Sequence, residues 1–252
     1  MISQKRGQST VFIVVAITVI LVLSIGFFFR GAFKQTIKQE VIVPQQIIPL
    51  QDSIQNCVSS SLIDAVRLIG LQGGYTNPPP SALKTEFSTI AYGYYEGRNV
   101  LAKTSKIESE ISLYIELVLP LCFDKTEFKE FNIETSQPKA KTTISARDMS
   151  TEVDFPVIIS KDKFTFNLNK RYYSKLNFNI NKILNFVNTI VNTEIKDPDY
   201  IDLTLLTNSD YDIAILPSDE RTSVYSVTDV NSTIEDIPFT FMYAKRKWKT
   251  KY

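Results

Sequence analysis

The side chain most often used for acid–base work is missing from this sequence. There is no histidine, which removes the commonest general base and the imidazole ligand of zinc, copper and iron sites. The two cysteines, Cys57 and Cys122, are too few for a thiolate metal site and too far apart for a Cys-x-x-Cys redox pair. They form either a disulfide in an oxidising compartment or two reduced thiols acting as small core residues. As a disulfide they would close a long loop and stabilise the fold by roughly 3 to 4 kcal/mol. None of the eight glycines lies beyond Gly97, and Gly70-Leu-Gln-Gly-Gly-Tyr75 lacks the Gly-Lys-Ser/Thr that a phosphate loop needs. Glu108 and Glu110, two apart on a helix, point to different faces and cannot act as a catalytic pair. Asn208, Asp210, Asp212 and Asp219 echo a calcium loop, but Ile213 stands where its sharp turn requires glycine. No metal, cofactor or enzymatic activity is expected.

What remains is chemistry of contact. Tyr92, Tyr94 and Tyr95, set among Gly93 and Gly97, offer flat apolar faces with polar tips. They could stack on sugars or a partner's side chains, with the Gly73-Gly74 connection completing the site, or pack the loop onto its own domain. At the carboxyl end Lys245, Arg246, Lys247 and Trp248 open a run with five cations and two aromatics in eight residues. It suits anionic headgroups or an acidic surface polymer, or is a solvated chain end. Nucleic acid is an unfavoured partner, since 28 basic residues balance 27 acidic ones. Asn231-Ser-Thr is a glycosylation sequon.

Several elements must position these groups. From about Gln51, Ile54, Val58, Leu62, Ala65 and Ile69 recur at helical spacing with Cys57 beside them, and Gly70 marks the expected stop. Ile107, Ile111, Tyr114, Ile115, Val118 and Leu119 form a second stripe that Pro120 should end just before Cys122. From about Phe131 the period changes to two, with strands predicted around Ala140 to Ala146, Val153 to Ile159 and Phe164 to Leu168. Pro156 places its strand at an edge or a bulge. A long amphipathic helix from Leu176 to Val191 follows, its other face rich in asparagine. Further strands are expected at Ile201 to Leu205, Tyr211 to Ile215, Val224 to Val227 and Ile237 to Tyr243. The expected fold class is α+β: one N-terminal transmembrane helix, then a helical layer and antiparallel β-meanders with that long helix.

Val11 to Phe29 is an uncharged apolar run of nineteen residues, about 28 Å long as a helix and close to the hydrocarbon thickness of a bilayer. Membrane lipid is thus an expected partner through residues 11–29. Lys5 and Arg6 on one side and Arg30, Lys34 and Lys38 on the other do not orient it by charge. The cysteine pair and the sequon favour an extracytoplasmic carboxyl side.

Lys5-Arg6-Gly7 followed by Gln8-Ser9-Thr10 and the apolar run resembles the class III signal peptide of archaeal type IV pilin-like proteins. The resemblance implies cleavage between Gly7 and Gln8, with the apolar segment retained. An uncut signal anchor is the alternative. Many such pilins carry glutamate at the fifth mature position, where this chain has Phe12. Beyond the leader, Asn56-Cys57, the Leu71 to Tyr75 stretch, Leu119-Pro120-Leu121-Cys122 and Pro238-Phe239-Thr240-Phe241 look similar to uncharacterised anchored proteins of small-genome archaea. The expected organisation is a leader (1–7), a transmembrane helix and stalk (8–40), a linker (41–50), a helical region with the tyrosine loop (51–128) and an antiparallel sheet with one helix (129–252). The expected role is structural, adhesive or envelope-assembling at the cell surface, with envelope proteins or further copies as partners. A membrane-anchored receptor or binding module is the alternative.

Overall fold

The computed structural model describes residues 14–20 and 45–248. The chain divides into two units, residues 1–44 and 45–252. In the first, residues 14–20 are helical and expose Val14, Val15, Ile17, Val19 and Ile20. Among the described residues no helix is long and apolar enough to cross a membrane. Most of the expected crossing, and the processing residues Lys5, Arg6, Gly7 and Gln8, lie outside the described residues.

The second unit begins with a 3-10 turn (Gln45–Ile47) leading into α1 (Ile48–Leu71). Pro49 sits in the first helical turn, where a missing N–H costs nothing. Leu50, Ile54, Val58, Leu62, Ala65 and Ile69 are buried as their spacing requires. Gly70 does not stop the helix. It is a contact point, where a Cβ would come 2.3 Å from the Thr240 carbonyl oxygen. The stop falls at Gly73 and Gly74, with φ +72° and +94°, where the Gly74 N–H donates to the Ile69 carbonyl at 2.8 Å.

Helix α2 (Thr104–Cys122) continues through Pro120 to its last residue. That residue is joined to Cys57 as a disulfide, with Cα atoms 5.8 Å apart. Its buried stripe is Ile107, Ile111, Ile115 and Leu119. A second face meets a strand edge. Glu108, Ser112 and Glu116 accept hydrogen bonds from the backbone N–H groups of Ile144, Thr142 and Ala140 at 2.8, 2.9 and 2.8 Å. Four helical residues rise about 6 Å and two strand residues nearly 7 Å, so each side chain meets every second N–H. The helix thus covers an edge that would otherwise be open to pairing with another chain. A third face exposes Leu113, Leu117 and Leu121.

The strands are β1 (Leu83–Lys84), β2 (Thr89–Ile90), β3 (Tyr92–Tyr95), β4 (Arg98–Asn99), β5 (Asn132–Thr135), β6 (Lys139–Ile144), β7 (Met149–Asp154), β8 (Val157–Lys161), β9 (Phe164–Leu168), β10 (Arg171–Leu176), β11 (Asp212–Pro217), β12 (Thr222–Ile234) and β13 (Ile237–Arg246). Helices α3 (Ile180–Lys196) and α4 (Leu203–Thr207) lie between β10 and β11. The sheets run β11-β12-β13-β3-β4, β10-β7-β6 and β5-β8-β9, and β1 pairs with β2. All pairings are antiparallel except β13 with β3. The fold is α+β.

Three local expectations differ. Val153 to Ile159 is two strands, because Pro156 cannot donate and the chain passes there from one three-stranded sheet to the other. Leu176 ends β10, and the amphipathic helix starts four residues later. Leu203 and Leu205 are helical, because the Asp202 side chain caps that turn by accepting from the Leu205 N–H at 3.0 Å.

Candidate functional site

The tyrosine stretch and the Gly73-Gly74 connection meet in one groove. One backbone bond joins them, the Ala91 N–H donating to the Gln72 carbonyl at 3.2 Å, and a second ties Ala91 to β13, the Ala244 N–H donating to the Ala91 carbonyl at 2.9 Å. A Cβ at Gly73 would stand 3.0 Å from the Ala91 oxygen. The connection, the start of β3 and β13 are therefore held edge to edge, and Tyr75 and Pro79 face Tyr92 and Tyr95 across about 340 Å³.

The geometry of β3 separates the three tyrosines. The pairing of β3 with β13 slips between Ala244 and Lys245, so that Ala244 faces Tyr92 while Lys245 faces Tyr94. The slip breaks the two-residue alternation. Tyr92 and Tyr95 both line the groove, ring centroids 5.1 Å apart and edge to face, whereas Tyr94 is fully buried.

Glu96 and Gly97, both at positive φ, turn β3 into β4; a two-residue turn of this kind matches the twist of paired strands. It brings Arg98 to the groove wall. The hairpin is gripped on two sides. The Asn99 amide donates to the side-chain oxygens of Asn188 and Asn192 on α3, at 2.8 and 2.9 Å, and Trp248 packs so closely on Gly97 that a Cβ would lie 2.7 Å from its indole nitrogen.

The opposite wall is fixed by Glu110. One of its oxygens accepts from the Thr76 N–H, the Thr76 hydroxyl and the Asn77 N–H; the other pairs with Lys106 at 2.7 Å. The Lys106 ammonium also lies over the Tyr75 ring, 5.7 Å from its centroid. Burial acts to raise the Glu110 carboxyl, but Lys106 and the Thr76 and Asn77 donors outweigh it and hold the group below its ordinary value of 4.5. A carboxyl lowered on folding stabilises above its ordinary value and loses that contribution as pH falls through the lowered one. Acid titration of the unfolding midpoint should therefore show a decline below pH 4.5 that is shallower in Glu110→Gln.

Of the cation-rich carboxyl end, the residues through Trp248 are described. Lys245 and Arg246 belong to β13, and Lys247 pairs with Asp199 at 2.6 Å. Trp248 is the most exposed of the four. Lys245, counted in the sequence with surface cations, is buried. Its ammonium pairs with Glu194 at 2.9 Å, both side chains only 3% exposed, and lies 5.6 and 5.7 Å from the ring centroids of Tyr94 and Tyr225. The Tyr225 hydroxyl donates to the same Glu194 oxygen, while the other oxygen, Oε2, is buried without a partner. Burial, and then the bond to Glu194, push the Tyr225 phenol well up, so it remains a donor.

Asn231 is exposed at the irregularity in β12, between Asp229 and Thr233. The next residue, Ser232, donates to Asp229 at 2.8 Å. Asp212 opens β11 and Asp219 accepts from the Arg221 N–H at 2.8 Å in the next turn. Among the described residues no group of acidic or cysteine side chains is placed to hold a metal.

A wider hollow lies at Phe186, Asp202, Asp210 and Tyr211, and an apolar one of about 200 Å³ at Arg67, Leu71 and Phe239. The tyrosine groove differs in bringing three tyrosines together with a guanidinium. None of its lining residues carries a carboxylate or a thiol. It fits a ring that stacks on tyrosine and carries an anionic group for Arg98. No protein-family model, no curated protein and no solved structure matches the chain.

Proposed function

We propose that the chain is a membrane-anchored cell-surface protein, held through residues 11–29, whose 45–252 unit lies outside the membrane and works by adhesion or envelope assembly rather than catalysis. Its contact site is the groove of Tyr75, Tyr92, Tyr95 and Arg98, and its ligand an acidic saccharide of the envelope. The observation that carries this reading is the convergence of three tyrosines and one guanidinium in a single groove without a carboxylate. Processing at Gly7 in the manner of a pilin is part of the proposal, as is contact with other envelope proteins or further copies.

Titration of the full chain with a uronic-acid oligosaccharide, and with a neutral oligosaccharide of the same length, tests it. Binding should favour the uronate. Arg98→Ala should weaken it by about tenfold to a hundredfold, the loss expected for a hydrogen bond to a charged group. Tyr92→Ala and Tyr95→Ala should weaken both ligands alike. Equal binding of uronate by the wild type and by all three variants, with the fold intact, would contradict the reading.

A further inference from the structure

Lys245 and Glu194 are held as two reactants would be. The nitrogen lies 2.9 Å from one carboxylate oxygen, in a site 3% exposed on both sides. The ammonium is flanked by the Tyr94 and Tyr225 rings, and Tyr243 stacks on Tyr225 with centroids 5.0 Å apart. Each partner is fixed by regular structure, Glu194 by α3 and Lys245 by β13. The second carboxylate oxygen is buried and makes no hydrogen bond. Beside Glu194 is a cavity of about 10 Å³, walled by Ile190, Thr193, Leu205 and Leu206 among others. That is room for one water.

We propose that Lys245 and Glu194 condense into an intramolecular amide that fastens α3 to β13. Passing one proton from the ammonium to the carboxylate removes two charges from a site where burying charge is costly. The free amine then attacks the carboxyl carbon: an N–C bond forms, a C–O bond breaks, and the departing oxygen leaves with two protons. The net change is ammonium plus carboxylate to amide plus one water, with no oxidation or reduction. Tyr225, donating to Oε1, polarises the carbonyl that is attacked. Oε2, free of any partner, is the oxygen that leaves, and the adjoining cavity takes the water. Fixed neighbours of this kind reach effective concentrations of about 10⁵ to 10⁸ M, which lowers the barrier to attack of the amine on the carboxyl carbon. The proposal is independent of any ligand in the groove.

Mass spectrometry of the reduced, denatured full chain tests it. The expected result is a mass one water below that calculated for the chain from its actual first residue, Met1 or Gln8, with a proteolytic digest containing a branched peptide that joins Glu194 to Lys245. Lys245→Arg, which retains the charge but has no primary amine, should have the full calculated mass and the native circular dichroism. Tyr225→Phe should leave a larger unlinked fraction. A wild-type chain of full calculated mass, or a branch at any other pair of residues, would overturn the proposal.

Discussion

Relative to a chain whose Lys245–Glu194 ion pair is intact and uncondensed, replacing Lys245 with methionine should cost about 3–5 kcal/mol of stability, because it leaves the Glu194 carboxylate buried without its cation. Methionine has nearly the length of the lysine stem and fills the space between Tyr94 and Tyr225, so little of the loss should come from a cavity. Neutralising the survivor should reverse most of it. Glu194→Gln keeps an oxygen for the Tyr225 hydroxyl and removes the charge, so the double variant is expected to be clearly more stable than Lys245→Met alone. Both variants lack the Lys245 amine and neither can form the amide, so the comparison does not depend on it. Urea unfolding of the single and double variants provides the measurement. Equal stability of the two would mean that Glu194 finds another partner or water.

The disulfide should matter almost as much. Cys57 and Cys122 close a loop 65 residues long, for which chain entropy alone predicts about 4 kcal/mol. Cys57 is buried in the α1 stripe while Cys122 is exposed at the end of α2. Cys57→Ala with Cys122→Ser therefore removes the bond with the least disturbance. The double variant should unfold at markedly lower urea concentration, and reductant should move the wild-type midpoint in the same direction. A shift below about 1 kcal/mol would show that packing of α1 on α2 already restricts the unfolded chain and leaves the bond little to do.

Much of the helical layer was legible in the sequence because its signals are local. The buried stripes of α1 and α2 follow their apolar spacing, and Ala140 to Ile144 forms a strand as its alternation indicates. Gly70 was misread because a helical glycine signals a stop and a close contact alike. Only the position of Thr240, 170 residues away, separates the two meanings.

The groove was half legible. Composition singled out Tyr92, Tyr94 and Tyr95, but the removal of Tyr94 depends on a register slip against a parallel strand at the far end of the chain. Neither the pairing nor the slip has a local signature. Arg98 and Tyr75 became site residues only through the turn and the Glu110 anchor. The Glu194–Lys245 pair was missed although its signals were present. Glu194 lies three residues beyond Val191 and seven beyond Val187, on the buried stripe of α3. Lys245 continues the inward alternation of Phe239, Phe241 and Tyr243. A charge at the next position of an apolar period calls for a buried partner, and the cation-rich surroundings of Lys245 obscured that reading.

The central claim is an anchored unit that faces away from the cytoplasm, and labelling of intact cells with a membrane-impermeant amine reagent tests it most directly. Lys84, Lys129 and Lys163 are exposed, so peptides containing them should be modified before lysis, while the buried Lys245 stays unmodified in the folded protein. Modification of those three lysines only after lysis would contradict the account.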